Sequence, residues 1–174
     1  VSDSAAKFVS EWSGQDLTIV PNYIDLEAYR TGKRVKRDTN TILYLGRLEK
    51  RKGVKYLLKA FQELSSRDKD VKLVIAGDGS YREKLENWVE DNNIPRVTFL
   101  GAVSEDDNIR LLKEATLYCS PAIYGESFGV VLLEAMAANT PVVAGDNAGY
   151  ACVMKDRGLL SLANPKDTED FARR

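Results

Sequence analysis

Thr41-Ile42-Leu43-Tyr44-Leu45-Gly46 is a short, mostly apolar run that stops at a glycine, and the chain repeats this pattern several times. Such a run reads as a strand buried on both faces. Gly53 to Leu64 follows, with Tyr56, Leu57, Ala60, Phe61 and Leu64 at helical spacing. Val71 to Ala76 is the next strand, closed by Gly77-Asp78-Gly79. Ser80 then opens an expected helix, with Glu83 completing a capping box. Val97-Thr98-Phe99-Leu100-Gly101 repeats the strand-then-glycine pattern, and Ser104 with Asp107 predicts a capped helix to about Ala115. Thr116 to Ser120 reads as a fourth strand, Phe128 to Ala138 as a largely buried helix, and Pro141 to Gly145 as a fifth strand. Gly158-Leu159-Leu160 is expected to add a sixth. This alternation predicts an α/β fold, a doubly wound Rossmann-like parallel sheet with helices on both faces.

The first 40 residues break the rhythm. Ser4 to Trp12 reads as a helix, Leu17 to Asn22 as a strand ending at a turn, and Gly32 to Asp38 as a charged, solvated linker. Residues 1–26 are read as the tail of a preceding domain or a strap, and 27–174 as one domain. The chain begins at Val1 and stops where a helix has barely begun, and is read as a fragment of a longer protein.

Composition narrows the function. With 44% apolar and 29% charged residues the chain is an ordinary globular sequence. A net charge of −1 leaves no basic footprint for nucleic acid. No run approaches the roughly 18 apolar residues of a membrane span. The sequence has no histidine, so histidine base chemistry and histidine metal sites are excluded within it. Cys119 and Cys152 lack metal spacing and read as buried thiols.

In a doubly wound sheet, ligands bind beyond the carboxyl ends of the strands. Gly46-Arg47, Gly77-Asp78-Gly79, Gly101-Ala102-Val103 and Gly125 to Gly129 all fall there. The last turn feeds a helix, so the amides of Ser127, Phe128 and Gly129 are expected to form an anion site suited to phosphate. Arg47 and Lys52 add two cations after the first strand. Lys50-Arg51-Lys52 taken alone reads more simply as a solvated face, and each glycine turn alone is weak. Their convergence on one sheet edge is the stronger signal, and it points to nucleotide or phosphate binding. There is no Walker A lysine motif and no G-x-G-x-x-G at the first strand, which disfavours dinucleotides.

Glu126 and Glu134 bracket the buried helix. Seven residues separate them, about 80° in azimuth and about 12 Å in height on an ideal helix. That is far wider than the roughly 5 Å of a retaining hydrolase pair, so the two carboxylates have different tasks. Glu126 sits at the anion site. Glu134 suits two adjacent hydroxyls, such as those of a ribose, unless a buried Arg or Lys pairs with it.

These residues resemble the donor-binding, C-terminal domain of retaining GT-B glycosyltransferases. Ile19 to Asp25 is similar to the family's interdomain hinge, with Tyr23 where Gly is usual. Leu45 to Gly53 resembles its phosphate clamp, and Leu73 to Gly79 and Phe99 to Gly101 its next strand ends. Glu126 to Glu134 matches the E-x7-E signature, and Asn139 stands where a helix-ending Gly is common, an altered cap that stays compatible with a left-handed residue. The resemblance implies that Arg47 and Lys52 act in catalysis by holding the donor diphosphate with Ser127, Phe128 and Gly129. It implies Glu134 on the ribose, Glu126 at the donor sugar, and the backbone of Ala102 and Val103 at the base edge. It implies no metal and no cofactor, since protein cations neutralise the leaving diphosphate. The substrate would be GDP-mannose or a UDP-sugar, and the missing partners an N-terminal acceptor domain and an acceptor glycan or lipid. Glu126-Ser127-Phe128-Gly129 resembles the phosphatidylinositol mannosyltransferase branch. A cytoplasmic enzyme with peripheral membrane contact through the full-length protein is expected, the fragment alone being inactive. A sugar-nucleotide epimerase and a non-catalytic nucleotide-sugar binding module are the alternatives.

Overall fold

The computed structural model describes residues 2–15, 17–31 and 37–174. Most of the expected linker, residues 32–36, lies outside the described residues. In chain order the elements are α1 (Asp3–Ser13), α2 (Leu26–Arg30), β1 (Thr41–Leu45), α3 (Val54–Arg67) and β2 (Lys72–Ala76). Then come α4 (Arg82–Asp91), β3 (Val97–Gly101), α5 (Glu105–Glu114), β4 (Leu117–Ser120) and α6 (Val130–Ala137). The last are β5 (Val142–Gly145), α7 (Ala148–Ala151), β6 (Leu162–Ala163) and α8 (Thr168–Arg173).

The six strands form one parallel sheet in the order β3-β2-β1-β4-β5-β6. This is the doubly wound arrangement predicted from the alternation. Side-chain alternation divides β1 between two cores. Ile42 and Tyr44 join Leu57, Phe61, Leu73, Ile75, Leu85 and Phe171 beneath α3, α4 and α8. Leu43 and Leu45 join Leu112, Tyr118, Leu132, Ala135 and Tyr150 beneath α5, α6 and α7. A strand with both faces covered has no polar face to show, which is why the run is continuously apolar.

The connection to β2 and β3 runs to one side of β1, and the chain then returns to place β4 on the other side. The crevice between the β1 and β4 loops is therefore the switch point of the sheet. Gly53 follows a 3-10 turn, Lys50–Lys52, with φ of 71°. A Cβ there would lie 2.0 Å from the Pro121 carbonyl oxygen. Glycine is what lets the two crevice walls touch.

Several local expectations are corrected. Leu17 to Asn22 is not a strand; Leu17, Ile19 and Val20 are exposed and have no strand beside them among the described residues. Helix α4 starts at Arg82 without a side-chain cap, one residue later than expected, because the chain turns through Ser80 and Tyr81, the Tyr81 amide donating to the Leu48 carbonyl at 2.9 Å and the Arg82 amide to the Gly79 carbonyl at 3.1 Å. Gly158 to Leu160 forms part of a 3-10 helix, Asp156–Ser161, with Leu159 and Leu160 exposed. The buried pair Leu162–Ala163 makes the sixth strand instead. Cys119 is buried, but Cys152 is only half-buried.

The expected Ser104 cap is present. Its hydroxyl accepts from the Asp107 amide at 3.1 Å. Asn139 ends α6 in the left-handed region, φ 58°. The N-terminal helix is also present, with Ser2 as its cap, and the Ser2 hydroxyl donates to the Ser127 carbonyl.

Candidate donor-binding cleft

The loops after β1, β2 and β3 and one face of α6 enclose a cleft of about 440 Å³. Arg47, Lys52, Ala102, Val103 and Glu134 all line it, together with Asp78, Asn108 and Val131. Residues as far apart as 47 and 134 meet because β1 is central and every loop here follows the carboxyl end of a strand or helix packed beside it. The volume falls within the range of small-molecule pockets.

Glu126 and Ser127 do not open onto this cleft. They line a neighbouring cavity of about 620 Å³ with Ala5, Phe8 and Val9 of α1 and with Asn147 and Gly149. Phe128 and Gly129 line neither space. The two glutamates thus face different cavities.

A chain of ion pairs forms the wall between them. Arg47 Nη1 lies 3.0 Å from Glu49 Oε1, and Arg51 Nε lies 2.9 Å from Glu49 Oε2. Arg51 Nη1 and Lys52 Nζ both reach Glu126 Oε1, at 3.0 and 2.7 Å. Three cations face two carboxylates, leaving one net positive charge beside the cleft. Only Lys50 of the Lys50-Arg51-Lys52 run is a solvated residue: the Arg51 and Lys52 side chains are 25% and 18% exposed. Sequence reasoning missed Glu49 and Arg51 as members of the site. Their partners lie two and seventy-five residues away, and local spacing marks only the first.

Helix α6 begins at Val130, two residues later than expected. Gly129 caps it with φ of 103°, its backbone pressed against the Tyr150 ring, where a Cβ would lie 2.7 Å from Cδ1. That left-handed residue breaks the helix, so Ser127 and Phe128 lie in a bend before it. The Leu132 amide donates to the Gly129 carbonyl, so the first helical amides without a partner among the described residues are those of Val130 and Val131, and Val131 faces the cleft.

Glu134 is half-buried, and no ion pair to it is found among the described residues. Burial, then the Glu105 carboxylate, raises its pKa above the ordinary value. Tyr29 stands nearby with its pKa pushed up to about 12 by burial and then by Glu134, so its hydroxyl remains neutral. An acceptor group without a counter-ion, at the edge of a pocket, fits a ligand that brings hydroxyl donors.

The family model for glycosyl transferases group 1 matches residues 25–174, most of the chain. The chain belongs to this family. Its fold is that of the C-terminal half of the GT-B glycosyltransferases, as the sequence resemblance implied. A phosphatidyl-myo-inositol mannosyltransferase of Mycobacterium tuberculosis is 36% identical over 99% of this chain and 47% of its own length. The group 1 transferase chain thus spans about half the length of the curated relatives it matches. Among solved structures, a mutant of S. aureus TarM in complex with Fondaparinux, alpha-GlcNAc-glycerol and UDP superposes with a TM-score of 0.86 at 21% identity, covering 99% of this chain and 34% of that one. Anabaena HepE in complex with UDP and glucose gives 0.82 at 23% identity, covering 99% of this chain and 50% of that one. At such identities these structures establish the fold. Among the described residues, no helix is long and apolar enough to cross a membrane.

Proposed function

We propose that this chain is the donor-binding half of a retaining glycosyltransferase that moves a hexose from a nucleoside diphosphate sugar to an acceptor. The supporting observation is the meeting of Arg47, Lys52, Ala102, Val103 and Glu134 in one cleft at the switch point. In this reading Arg47 and Lys52 bind the diphosphate and neutralise the charge that develops as it leaves. Glu134 accepts from the two ribose hydroxyls, and the backbone at Ala102 and Val103 meets the base edge. The amides at the start of α6 add to the anion site, with Ser127, Phe128 and Gly129 forming the bend that presents them. Glu126, in the adjoining cavity, faces the donor sugar. No metal or cofactor is required in this scheme.

The donor is a mannose-type or glucose-type hexose on GDP or UDP. The mannosyltransferase relative favours GDP-mannose, and the neighbours solved with UDP favour a UDP-sugar. Full transfer needs the missing N-terminal domain and an acceptor glycan or lipid, with cytoplasmic action and peripheral membrane contact in the lipid case.

Calorimetry with GDP and UDP tests the cleft. Arg47→Ala is expected to weaken binding of the preferred nucleotide about tenfold, one lost phosphate contact. Glu134→Ala is expected to weaken it by about 10- to 100-fold, the worth of charge-assisted hydrogen bonds to hydroxyls. If both variants bind as the parent does, the cleft is misassigned.

A further inference from the structure

Arg51 lines neither the donor cleft nor the Glu126 cavity. Its guanidinium lies in the wall between them, and Nε and Nη1 are engaged there. Nε binds Glu49 Oε2 at 2.9 Å, while Nη1 binds Glu126 Oε1 at 3.0 Å and the Gly125 carbonyl at 3.1 Å. Its own carbonyl accepts from the Ile123 amide at 2.9 Å, and its Cδ lies where a Cβ on Gly125 would touch it, at 3.4 Å. Arg51 therefore clips the segment after β1 to the loop after β4 by main chain and side chain together. A planar fork, anchored on one side by Glu49, fixes direction as well as charge.

Lys52 is different. It shares Glu126 with Arg51 yet also lines the donor cleft. A diphosphate entering that cleft competes with Glu126 for the Lys52 ammonium. Arg51 has no such competitor. Resting on the donor-cleft reading above, we propose that Arg51 is a positioning residue that keeps Glu126 and the Gly125 carbonyl in place when Lys52 turns to the donor diphosphate. Glu49 serves it as an anchor and links it to Arg47. The wall thus couples the occupied phosphate site to the carboxylate at the sugar without Arg51 touching the donor.

The test uses the full-length protein, with GDP and UDP as binding probes. Hydrolysis of GDP-mannose or UDP-glucose to free hexose and nucleoside diphosphate gives a turnover readout that needs no acceptor. Arg51→Ala is expected to lower kcat by about 10- to 100-fold, the scale of a misplaced reacting group, while nucleotide Kd and donor KM stay within about threefold. Arg51→Lys is expected to recover part of the loss, and added guanidinium to restore turnover in Arg51→Ala. Nucleotide affinity falling in parallel with turnover would make Arg51 a phosphate ligand and overturn the proposal. So would unchanged turnover, or a loss that neither lysine nor guanidinium repairs. Absence of GDP and UDP binding in the parent is a separate outcome; it removes the donor-cleft reading itself.

Discussion

At the scale of single residues, Glu134 carries the clearest physical signature. A carboxylate on a mostly apolar helix needs a partner or a use, and no cation partners it among the described residues. Burial and Glu105 raise its pKa, so the folded chain binds a proton there more readily than the unfolded chain does. Its ionised form therefore subtracts from stability at neutral pH. The lost stability is fully present below the ordinary carboxylate pKa and disappears as pH rises through the raised value. Glu134→Gln is expected to be more stable than the parent at pH 7 by about 0.5 kcal/mol, a small figure because the site is partly solvated. Urea denaturation at pH 7 and pH 4 checks this; an advantage equally large at pH 4 contradicts the assignment. The same substitution is expected to impair nucleotide binding, since an amide accepts hydroxyl donors less well than a carboxylate. Stability and function pull in opposite directions at this position, as they do where a group is kept for a ligand.

At the scale of elements, the loops that shape the cleft are held by caps and close backbone approaches. Ser104 caps α5 and so fixes the turn that carries Ala102 and Val103. Ser104→Ala is expected to cost about 1 kcal/mol, seen as a lower urea midpoint with unchanged slope. Gly53 is more constrained, because both its φ of 71° and its distance to Pro121 exclude a side chain. Gly53→Ala is expected to cost at least about 2 kcal/mol, combining a left-handed alanine with a backbone clash. A melting temperature within a degree of the parent would show that the two crevice walls can part freely. The elements the sequence marked best are α3, by the helical spacing of its apolar residues, and α5, by its Ser104 cap. The weaker marks failed for physical reasons. Ser80 followed by Glu83 has the spacing of a capping box, but a turn held by the Arg82 amide on the Gly79 carbonyl puts Tyr81, not Ser80, at the cap position. Gly129 looked like part of a helix, yet its positive φ against Tyr150 sets the helix start beyond it.

At the scale of the whole molecule, one sheet edge collects the candidate chemistry, while much apolar surface near the N-terminus stays uncovered. Phe8, Trp12 and Tyr23 are 75%, 87% and 90% exposed. The chain also spans about half of its curated relatives. We therefore expect the 174-residue chain to bind nucleotide but to transfer little or no sugar by itself. A thermal-shift panel of nucleoside diphosphate sugars checks the first part, since ligand at 100 times its Kd stabilises by about 2.7 kcal/mol. Product analysis with a labelled donor checks the second, and robust transfer by the chain alone refutes it. The sequence by itself determined the alternation of buried strands and helices, hence the sheet and the edge on which ligands gather. Periodicity and glycine punctuation are local properties, and the chain displays them openly. Only the tertiary structure decided how that edge is divided. It separated Glu126 from Glu134 by a wall, brought Arg51 onto a carboxylate seventy-five residues away, and left Glu134 without a counter-ion among the described residues. Ion pairing and burial depend on which loops meet across the switch point, and no local spacing records that.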